Sequence, residues 1–203
     1  MAAPRRLGAP DAKNRTVLLN AAEQLMREEG YAAVTSRRVA ETAGLKPQLV
    51  HYYFRTMDDL FLEMFRRGAE QMLQYHQRAL KARQPLWALW ELSTEAAGTA
   101  MTMEFIALAN HRKVLRSEIA RYAEMFRAEQ IKTLTSAIER YDVDFDEFPP
   151  TVLMVLMTGA TQALVQEQML GMLAGHEETV RFARKWLTVL EGERLPDDDW
   201  RSL

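Results

Sequence analysis

Apolar side chains recur at helical spacing along most of this 203-residue chain. The first such segment covers about residues 11 to 29 and contains two adjacent i, i+4 rows, which mark one face of an amphipathic helix. These rows are Val17, Ala21 and Leu25, and Leu18, Ala22 and Met26. Strand-like alternation and internal repeats do not stand out in the sequence. The pattern therefore predicts an all-α fold of about nine helices.

Glycines and prolines divide the rest of the chain into further helical segments. Pro85, Gly98, Gly175 and the pair Pro149-Pro150 mark interruptions, and Thr56 is the expected N-cap of the long helix that follows it. The predicted helices cover about residues 36–43, 48–53, 57–80, 86–98, 101–110, 114–141, 150–173 and 177–191.

The segment from Thr35 to Leu60 has the pattern of two short helices joined by a tight turn. Gly44 tolerates the positive φ that ends the first helix, and Pro47 supplies the fixed φ that favours the first turn of the second. A helix-turn-helix at about residues 36–54 places its second helix in the major groove of DNA, while its first helix crosses the sugar-phosphate backbone. The alternative is an ordinary helical hairpin with a solvated basic face.

Many side chains of this helical pair have the chemistry of nucleic-acid contacts. Gln pairs bidentately with adenine, Lys reaches guanine acceptors, and Tyr and His reach phosphates or base edges. The hydroxyl of Thr35 suits either a helix N-cap or a phosphate contact. The candidate DNA-binding residues are Thr35, Ser36, Arg37, Arg38, Lys46, Pro47, Gln48, His51, Tyr52, Tyr53 and Arg55.

Charge is divided unevenly along the chain, although the formal net charge is only −2. Residues 1–56 carry nine Lys or Arg against five Asp or Glu, a net charge of +4, and the remaining residues carry −6. The basic part is the part with the helical pair, as a phosphate-binding surface requires. The cations nearest the N-terminus form either an arm and first helical turn that contact phosphates or the minor groove, or a solvated tail. They are Arg5, Arg6, Lys13 and Arg15.

The helical pair also carries a family motif, formed in order by Thr35, Val39-Ala40, Ala43-Gly44-Leu45, Tyr53-Phe54 and Leu60. This motif resembles the DNA-binding domain of the tetracycline-repressor-like (TetR) family of bacterial transcriptional regulators. The resemblance implies a homodimer with a three-helix DNA-binding head, residues 1–56, and a C-terminal effector-binding and dimerisation body, residues 57–203. It further implies a repressor that binds a palindromic DNA operator and is released by a small effector. An activator or a corepressor-dependent regulator is the alternative.

Three positions depart from the usual pattern of that family. Lys46 stands where Ser or Thr is common as the N-cap, Gln48 replaces a frequent small residue, and His51 replaces a frequent Tyr. Loss of the cap costs about 1 kcal/mol and is partly offset by Pro47. We expect the operator preference of the protein to reside in these positions.

The predicted body is rich in apolar residues that adapt to irregular ligands. Most of the twelve methionines lie between Met101 and Met172, and unbranched Met side chains and aromatic rings suit apolar or amphipathic molecules. Such residues also commonly form ordinary core. The candidate effector-pocket residues are Trp87, Trp90, Thr99, Met103, Phe105, Phe126, Met157 and Gln162.

The last two predicted helices have small and apolar residues suited to helix packing between subunits. The resemblance implies that two such helices from each subunit form a four-helix interface. The alternative is that these faces close the core of the monomer. The candidate interface residues are Leu156, Ala160, Ala163, Phe182, Trp186 and Leu190.

The sequence predicts a cytoplasmic protein that does not enter a membrane. Its longest uncharged apolar stretch, residues 149–164, is interrupted by Gly159, Thr161 and Gln162 and is shorter than the roughly 20 residues of a membrane span. The basic N-terminus lacks the apolar core of a signal peptide.

Enzymatic function is not expected. The chain has no cysteine, its four histidines lack metal-ligand spacing, and no phosphate-binding glycine loop or nucleophile motif occurs. Glu91 and Glu95 share a helix face, but such a pair is usually solvated. We therefore expect no cofactor and no metal. The remaining alternatives are a helical enzyme and a protein-binding adaptor, and an adaptor leaves the basic head unexplained.

Overall fold

The described residues of the computed structural model, 13–140, 149–196 and 198–202, form helices and connecting turns without a β-strand. Two 3-10 turns, Tyr31–Ala33 and Trp200–Ser202, accompany the α-helices. The nine α-helices of this described part are α1 Lys13–Glu29, α2 Ser36–Thr42, α3 Pro47–Tyr53, α4 Met57–Lys81, α5 Pro85–Ser93, α6 Ala96–His111, α7 Lys113–Arg140, α8 Pro150–Met169 and α9 His176–Glu191. The prediction of an all-α fold is confirmed.

Two helix ends differ from the sequence-based prediction. Helix α5 ends at Ser93, where the hydroxyls of Ser93 and Thr94 bond to carbonyls of its last turn. Gly98 lies inside α6 rather than between two helices, because a single glycine is tolerated within a helix. Helix α8 ends at Met169, four residues earlier than expected. The predicted start of α1 at residue 11 lies outside the described residues.

The packing divides the chain into two compact units. The first consists of Met1–Ala69 and Met101–Arg121, and the second of Glu70–Ala100 and Tyr122–Leu203. The first unit therefore includes residues well beyond 56, where the sequence placed the end of the head. That boundary stays a prediction about where the functions divide, because compactness alone does not test it.

The core of the first unit joins α1, α2 and α3 to parts of α4, α6 and α7. Val39 and Val50 bring α2 and α3 onto the apolar face of α1, and Phe65 on α4 meets Phe105 on α6 edge-on with ring centroids 5.3 Å apart. Burial of such side chains supplies most of the stabilisation of a small helical unit. Its largest fully buried side chains are Leu18, Met26, Phe54, Leu60, Phe61, Met64, Leu108 and Leu115.

The second unit has a core centred on the tryptophans of α5. Trp87 and Trp90 pack with side chains of α7, α8 and α9, and Trp200 fills a neighbouring cluster between α4 and α5. The N-terminus of α5 is capped by acids that come from the end of the chain. Glu191 accepts the N–H groups of Leu86 and Trp87, both at 3.0 Å.

Asp198 completes this cap from the C-terminal segment. Its buried carboxylate accepts the N–H of Gln84 at 3.1 Å and that of Arg83 at 3.3 Å. The amide of Gln84 in turn bonds to the carbonyls of Glu191 and Glu193. The first N–H groups of a helix lack intrahelical partners, so the Glu191 contacts satisfy those of Leu86 and Trp87. The Asp198 and Gln84 contacts fix residues 191–196 and 198–200 against the start of α5.

Within the described ranges, no helix has the length and apolar character to cross a membrane.

Candidate nucleic-acid interface

Local hydrogen bonds set the start of helix α2. The Thr35 hydroxyl accepts the N–H of Arg38 at 3.3 Å, as an N-cap does. Thr56 caps α4 in the same way, because its hydroxyl accepts the N–H of Asp59 at 3.1 Å while the Asp59 carboxylate accepts the N–H of Thr56. Both predicted N-caps are confirmed, and they fix the two ends of the helix-turn-helix.

The turn between α2 and α3 depends on Gly44. This residue has φ of +64°, a conformation that strains residues with a Cβ atom. Its N–H donates to the carbonyl of Glu41 at 3.0 Å, and the N–H of Leu45 donates to the carbonyl of Ala40 at 2.9 Å. These bonds close the end of α2 tightly, so α3 begins only three residues after Gly44.

Helix α3 begins at Pro47 and packs through one face only. Lys46 is its N-cap residue and has an extended backbone, but its ammonium group lacks the acceptor that a capping side chain needs. Val50 is buried and Leu49 is half-buried in the core of the first unit. The short helix is therefore held by its inner face, which leaves its outer face to solvent.

Most candidate DNA-binding side chains are exposed. Tyr52 is 48% exposed, whereas Tyr53 packs partly against the core and meets the Tyr52 ring edge-on, with centroids 5.0 Å apart. Tyr53 is therefore half-buried rather than fully exposed on the outer face of α3, and its contact with DNA stays a prediction. Ser36 and Arg38 are half-buried, and the exposed candidates are Thr35, Arg37, Lys46, Pro47, Gln48, His51, Tyr52 and Arg55.

Arg38 is paired with Glu29, the last residue of α1. Its two Nη atoms each donate to a different carboxylate oxygen of Glu29 at 2.6 Å. The hydrogen bond and charge of Arg38 lower the pKa of Glu29, and Glu29 raises that of Arg38. A DNA phosphate that binds Arg38 therefore competes with the Glu29 carboxylate.

Arg15 is engaged within the first unit and does not form an arm. It makes an ion pair with Glu63 on α4, and its guanidinium lies 5.2 Å from the ring centroid of Phe54. Arg15 lies in the first turn of α1, where an ion pair and an aromatic ring hold it, and its contact with DNA stays a prediction. Lys13 is exposed in the first turn of α1, and Arg5 and Arg6 lie outside the described residues.

Residues 18–64 match the family model described as bacterial regulatory proteins of the tetR family, and these are the residues of the helix-turn-helix and its supporting helices. Over these residues the chain is similar to the TetR family. The predicted resemblance is confirmed. The HTH-type transcriptional regulator BetI of Rhizobium meliloti is 28% identical over 123 residues, which are 59% of this chain and 61% of that protein. The match therefore spans less than two thirds of this TetR relative's own length.

Solved structures share the TetR fold over most of the chain. A transcriptional regulator from Saccharomonospora viridis in complex with choline has a TM-score of 0.70 at 19% identity, covering 85% of this chain and 94% of that one. The fatty acid degradation regulator FadR from Bacillus halodurans has a TM-score of 0.68 at 15% identity, with coverage of 92% and 99%. At these identities the similarity establishes the fold alone.

The predicted effector-pocket residues are divided between the two compact units. Met103 and Phe105 belong to the first unit, where Phe105 is part of the core. The others belong to the second unit, where Trp87 and Trp90 are core residues and Gln162 is exposed on α8. Helical spacing does not reveal which of two cores a side chain enters. The predicted pocket therefore contained residues from both units. As effector contacts these residues stay predictions.

A half-buried histidine in the second unit was missed as a ligand candidate. His76 on α4 has Nδ1 at 3.0 Å from the carbonyl of Met72 and Nε2 at 2.9 Å from the amide nitrogen of Gln130 on α7. Since a carbonyl only accepts, Nδ1 carries the proton and Nε2 accepts from Gln130. Burial lowers the pKa of His76, although the Met72 carbonyl opposes this shift. Its ring lies 5.4 Å from that of Phe126, one of the predicted pocket residues.

A cleft in the second unit also went unpredicted. It has a volume of about 320 Å³ and lies between the last turns of α8 and the first turns of α9. Nε2 of His176, at its edge, donates to the Glu167 carboxylate at 2.9 Å. The apolar residues that continue past the end of α8 were the sequence feature that could have predicted this cleft. The lining residues are Thr94, Leu164, Val165, Gln168, Leu173, His176, Glu177 and Val180.

The candidate dimer residues lie on exposed apolar faces of α8 and α9. Leu156 is 63% exposed and Phe182 65% exposed, and Phe182 contacts Trp186 with centroids 6.3 Å apart. Ala163 is exposed and Ala160 half-buried. Leu190 instead packs partly into the core of its own subunit.

Proposed function

We propose that this protein is a ligand-responsive transcriptional regulator that binds double-stranded DNA through α2 and α3. The observation that carries the proposal is the outer face of α3, where Lys46, Gln48, His51 and Tyr52 are exposed together while Val50 anchors the helix. Donors and acceptors on such a face match the edges of bases in the major groove. Exposed Arg37 and Arg55 flank it and suit phosphate contacts.

The DNA-binding proposal is tested by titrating a fluorescent duplex from the region upstream of the protein's own gene. We expect tight, saturable binding that unrelated DNA of the same length competes only weakly, and a footprint with two-fold symmetry. Binding that does not discriminate between the two duplexes, or no binding at any salt concentration, contradicts the proposal.

The proposed regulator acts as a dimer in the cytoplasm. The exposed apolar faces of α8 and α9 support dimerisation, because contiguous apolar surface on a soluble helix pair favours association. Two subunits supply two copies of α3, and each copy then binds one half of a palindromic operator at successive major grooves. Bound in this way the protein obstructs RNA polymerase and represses its target genes. An increase of transcription on binding identifies the activator alternative.

The effector is proposed to be a small apolar or amphipathic molecule bound in the second unit. The half-buried His76 next to Phe126 supports this class, because a ligand donor that replaces the Gln130 amide at Nε2 satisfies one polar group while the aromatic ring contacts the apolar remainder. The effector weakens DNA binding only if it binds the DNA-free state more tightly, and DNA must weaken effector binding by the same factor.

Two compounds taken from the names of the structural relatives test the effector class. A medium-chain fatty acid represents the amphipathic class, and choline represents a small cationic one. We expect the fatty acid to release the duplex and to quench tryptophan fluorescence, with a weaker effect in His76→Leu. Release by choline alone overturns the proposed effector class and leaves the DNA-binding proposal intact.

A further inference from the structure

The ion pair between Arg38 and Glu29 lies on the proposed DNA-binding surface. Both side chains remain accessible, with 43% of Arg38 and 44% of Glu29 exposed. The pair is bidentate, since Nη1 donates to Oε2 and Nη2 to Oε1 at equal distances of 2.6 Å. The neighbouring carboxylate of Glu41 acts on the same guanidinium at longer range.

The geometry of this pair is the geometry with which arginine binds phosphate. A guanidinium presents two parallel N–H donors that match either two carboxylate oxygens or two phosphate oxygens. A phosphate that takes both donors of Arg38 must therefore displace Glu29. While Glu29 remains, the site has no net charge and attracts the DNA backbone weakly.

We propose that Glu29 occupies the phosphate-binding donors of Arg38 in the DNA-free protein and thereby sets the overall DNA affinity. This inference rests on the proposed DNA-binding function. Glu29 acts as an internal substitute for phosphate, and DNA binding exchanges one anion for the other. Since phosphate contacts carry no base information, Glu29 lowers affinity for every DNA sequence by the same factor and leaves the operator preference unchanged.

The test compares Glu29→Gln with Glu28→Gln. Glu28 is the preceding residue, is exposed, and accepts a hydrogen bond from Gln24 at 3.2 Å. The two substitutions change net charge equally, so their difference isolates the pairing with Arg38. We expect Glu29→Gln to tighten binding of operator and unrelated duplexes alike, roughly two- to fivefold beyond the effect of Glu28→Gln. Its salt dependence should be steeper by up to about one ion.

A double substitution assigns the gain to Arg38. In an Arg38→Ala background Glu29→Gln should improve binding no more than Glu28→Gln does, because no guanidinium is then released. Equal effects of Glu29→Gln and Glu28→Gln in the wild-type background, an excess gain from Glu29→Gln that persists without Arg38, or weaker binding by Glu29→Gln each overturn the inference. Thermal melting verifies that every variant is folded, and Glu29→Ala repeats the test with a different side chain. A wild-type protein that binds no DNA overturns the proposed function instead.

Discussion

The exposed residues of α3 and α2 differ in what they contribute to DNA binding. Gln48 presents both a donor and an acceptor on the outer face of α3, which suits bidentate contact with an adenine. Arg37 is exposed on α2, the helix that crosses the backbone in a helix-turn-helix. Gln48 should therefore govern the sequence preference of DNA binding, and Arg37 should govern the affinity for DNA of any sequence.

Replacing Gln48 with Ala should alter operator preference at one base pair in each half-site, at a cost of about 1–3 kcal/mol per lost base contact. Arg37→Ala should weaken all duplexes alike and reduce the salt slope by about one. The measurement is competition binding against operators with single base changes, at several salt concentrations. Arg116→Ala, an exposed arginine on α7, is the control and should leave both properties unchanged. Uniform weakening by Gln48→Ala contradicts its assignment to base contacts.

At the scale of elements, α5 depends on contacts from a distant part of the chain. Glu191 accepts its first N–H groups, and Asp198 accepts the N–H of the N-cap residue Gln84, so no local side chain caps this helix. A buried N–H that loses its acceptor retains its desolvation cost. The stability of the start of α5 thus depends on acids that lie more than 100 residues later in the sequence.

Asp198→Ala should destabilise the protein by about 1–3 kcal/mol, because two backbone N–H groups lose their acceptor. Asp199→Ala is the matched control, since Asp199 is the adjacent acid and is exposed. Its effect should stay within about 0.5 kcal/mol. Urea denaturation followed by circular dichroism measures both. Equal stability of the two variants shows that the Asp198 cap contributes nothing measurable.

Glu118 connects α7 to α4 and makes stability depend on pH. Its carboxylate accepts from Arg121 at 3.0 Å and from Arg66 at 2.7 Å, and these contacts lower its pKa from 4.5 to about 2. A carboxyl group whose pKa is lower in the folded than in the unfolded state stabilises the folded protein above pH 4.5. This stabilisation is lost as the pH falls towards 2. Glu118→Gln should therefore lose less stability than wild type between these values. Thermal melting across that pH window, with the exposed Glu124→Gln as control, measures the difference.

The sequence predicted those elements whose signals are local. The hydroxyls of Thr35 and Thr56 and the conformation of Gly44 act within three or four residues, so the helix-turn-helix was predicted with its caps and turn. The pairing of Arg38 with Glu29 and the burial of Phe105 depend on how separate helices meet. Helical periodicity fixes only which side of a helix is apolar, and it does not identify the partner of that side.

At the scale of the whole molecule, α8 and α9 expose large apolar side chains. Leu156, Phe182 and Trp186 are 63%, 65% and 41% exposed, and clustered exposed apolar side chains mark association surfaces. Dimerisation through these side chains explains their exposure, and a dimer is also what a two-fold symmetric operator requires. Oligomeric state and DNA binding should therefore be lost together.

Phe182→Glu should convert the dimer to a monomer and abolish tight operator binding, because each monomer offers only one copy of α3. Light scattering after size-exclusion chromatography gives the mass, and the operator duplex gives the affinity. Gln77→Glu adds the same charge at an exposed position of α4 and should change neither quantity. A dimeric Phe182→Glu protein places the interface elsewhere.

The cap of α5 has a consequence for how the protein is made. All residues of the first unit have been synthesised once residue 121 is complete, whereas α5 waits for Asp198, 114 residues after Gln84. During translation the first unit is thus able to assemble while α5 remains uncapped, since chains fold from the N-terminal side as they emerge. A chain that terminates before residue 191 keeps every residue of its helix-turn-helix but lacks both capping acids. Proteases should remove such a product rapidly through its unstable second unit, before it competes with the complete regulator.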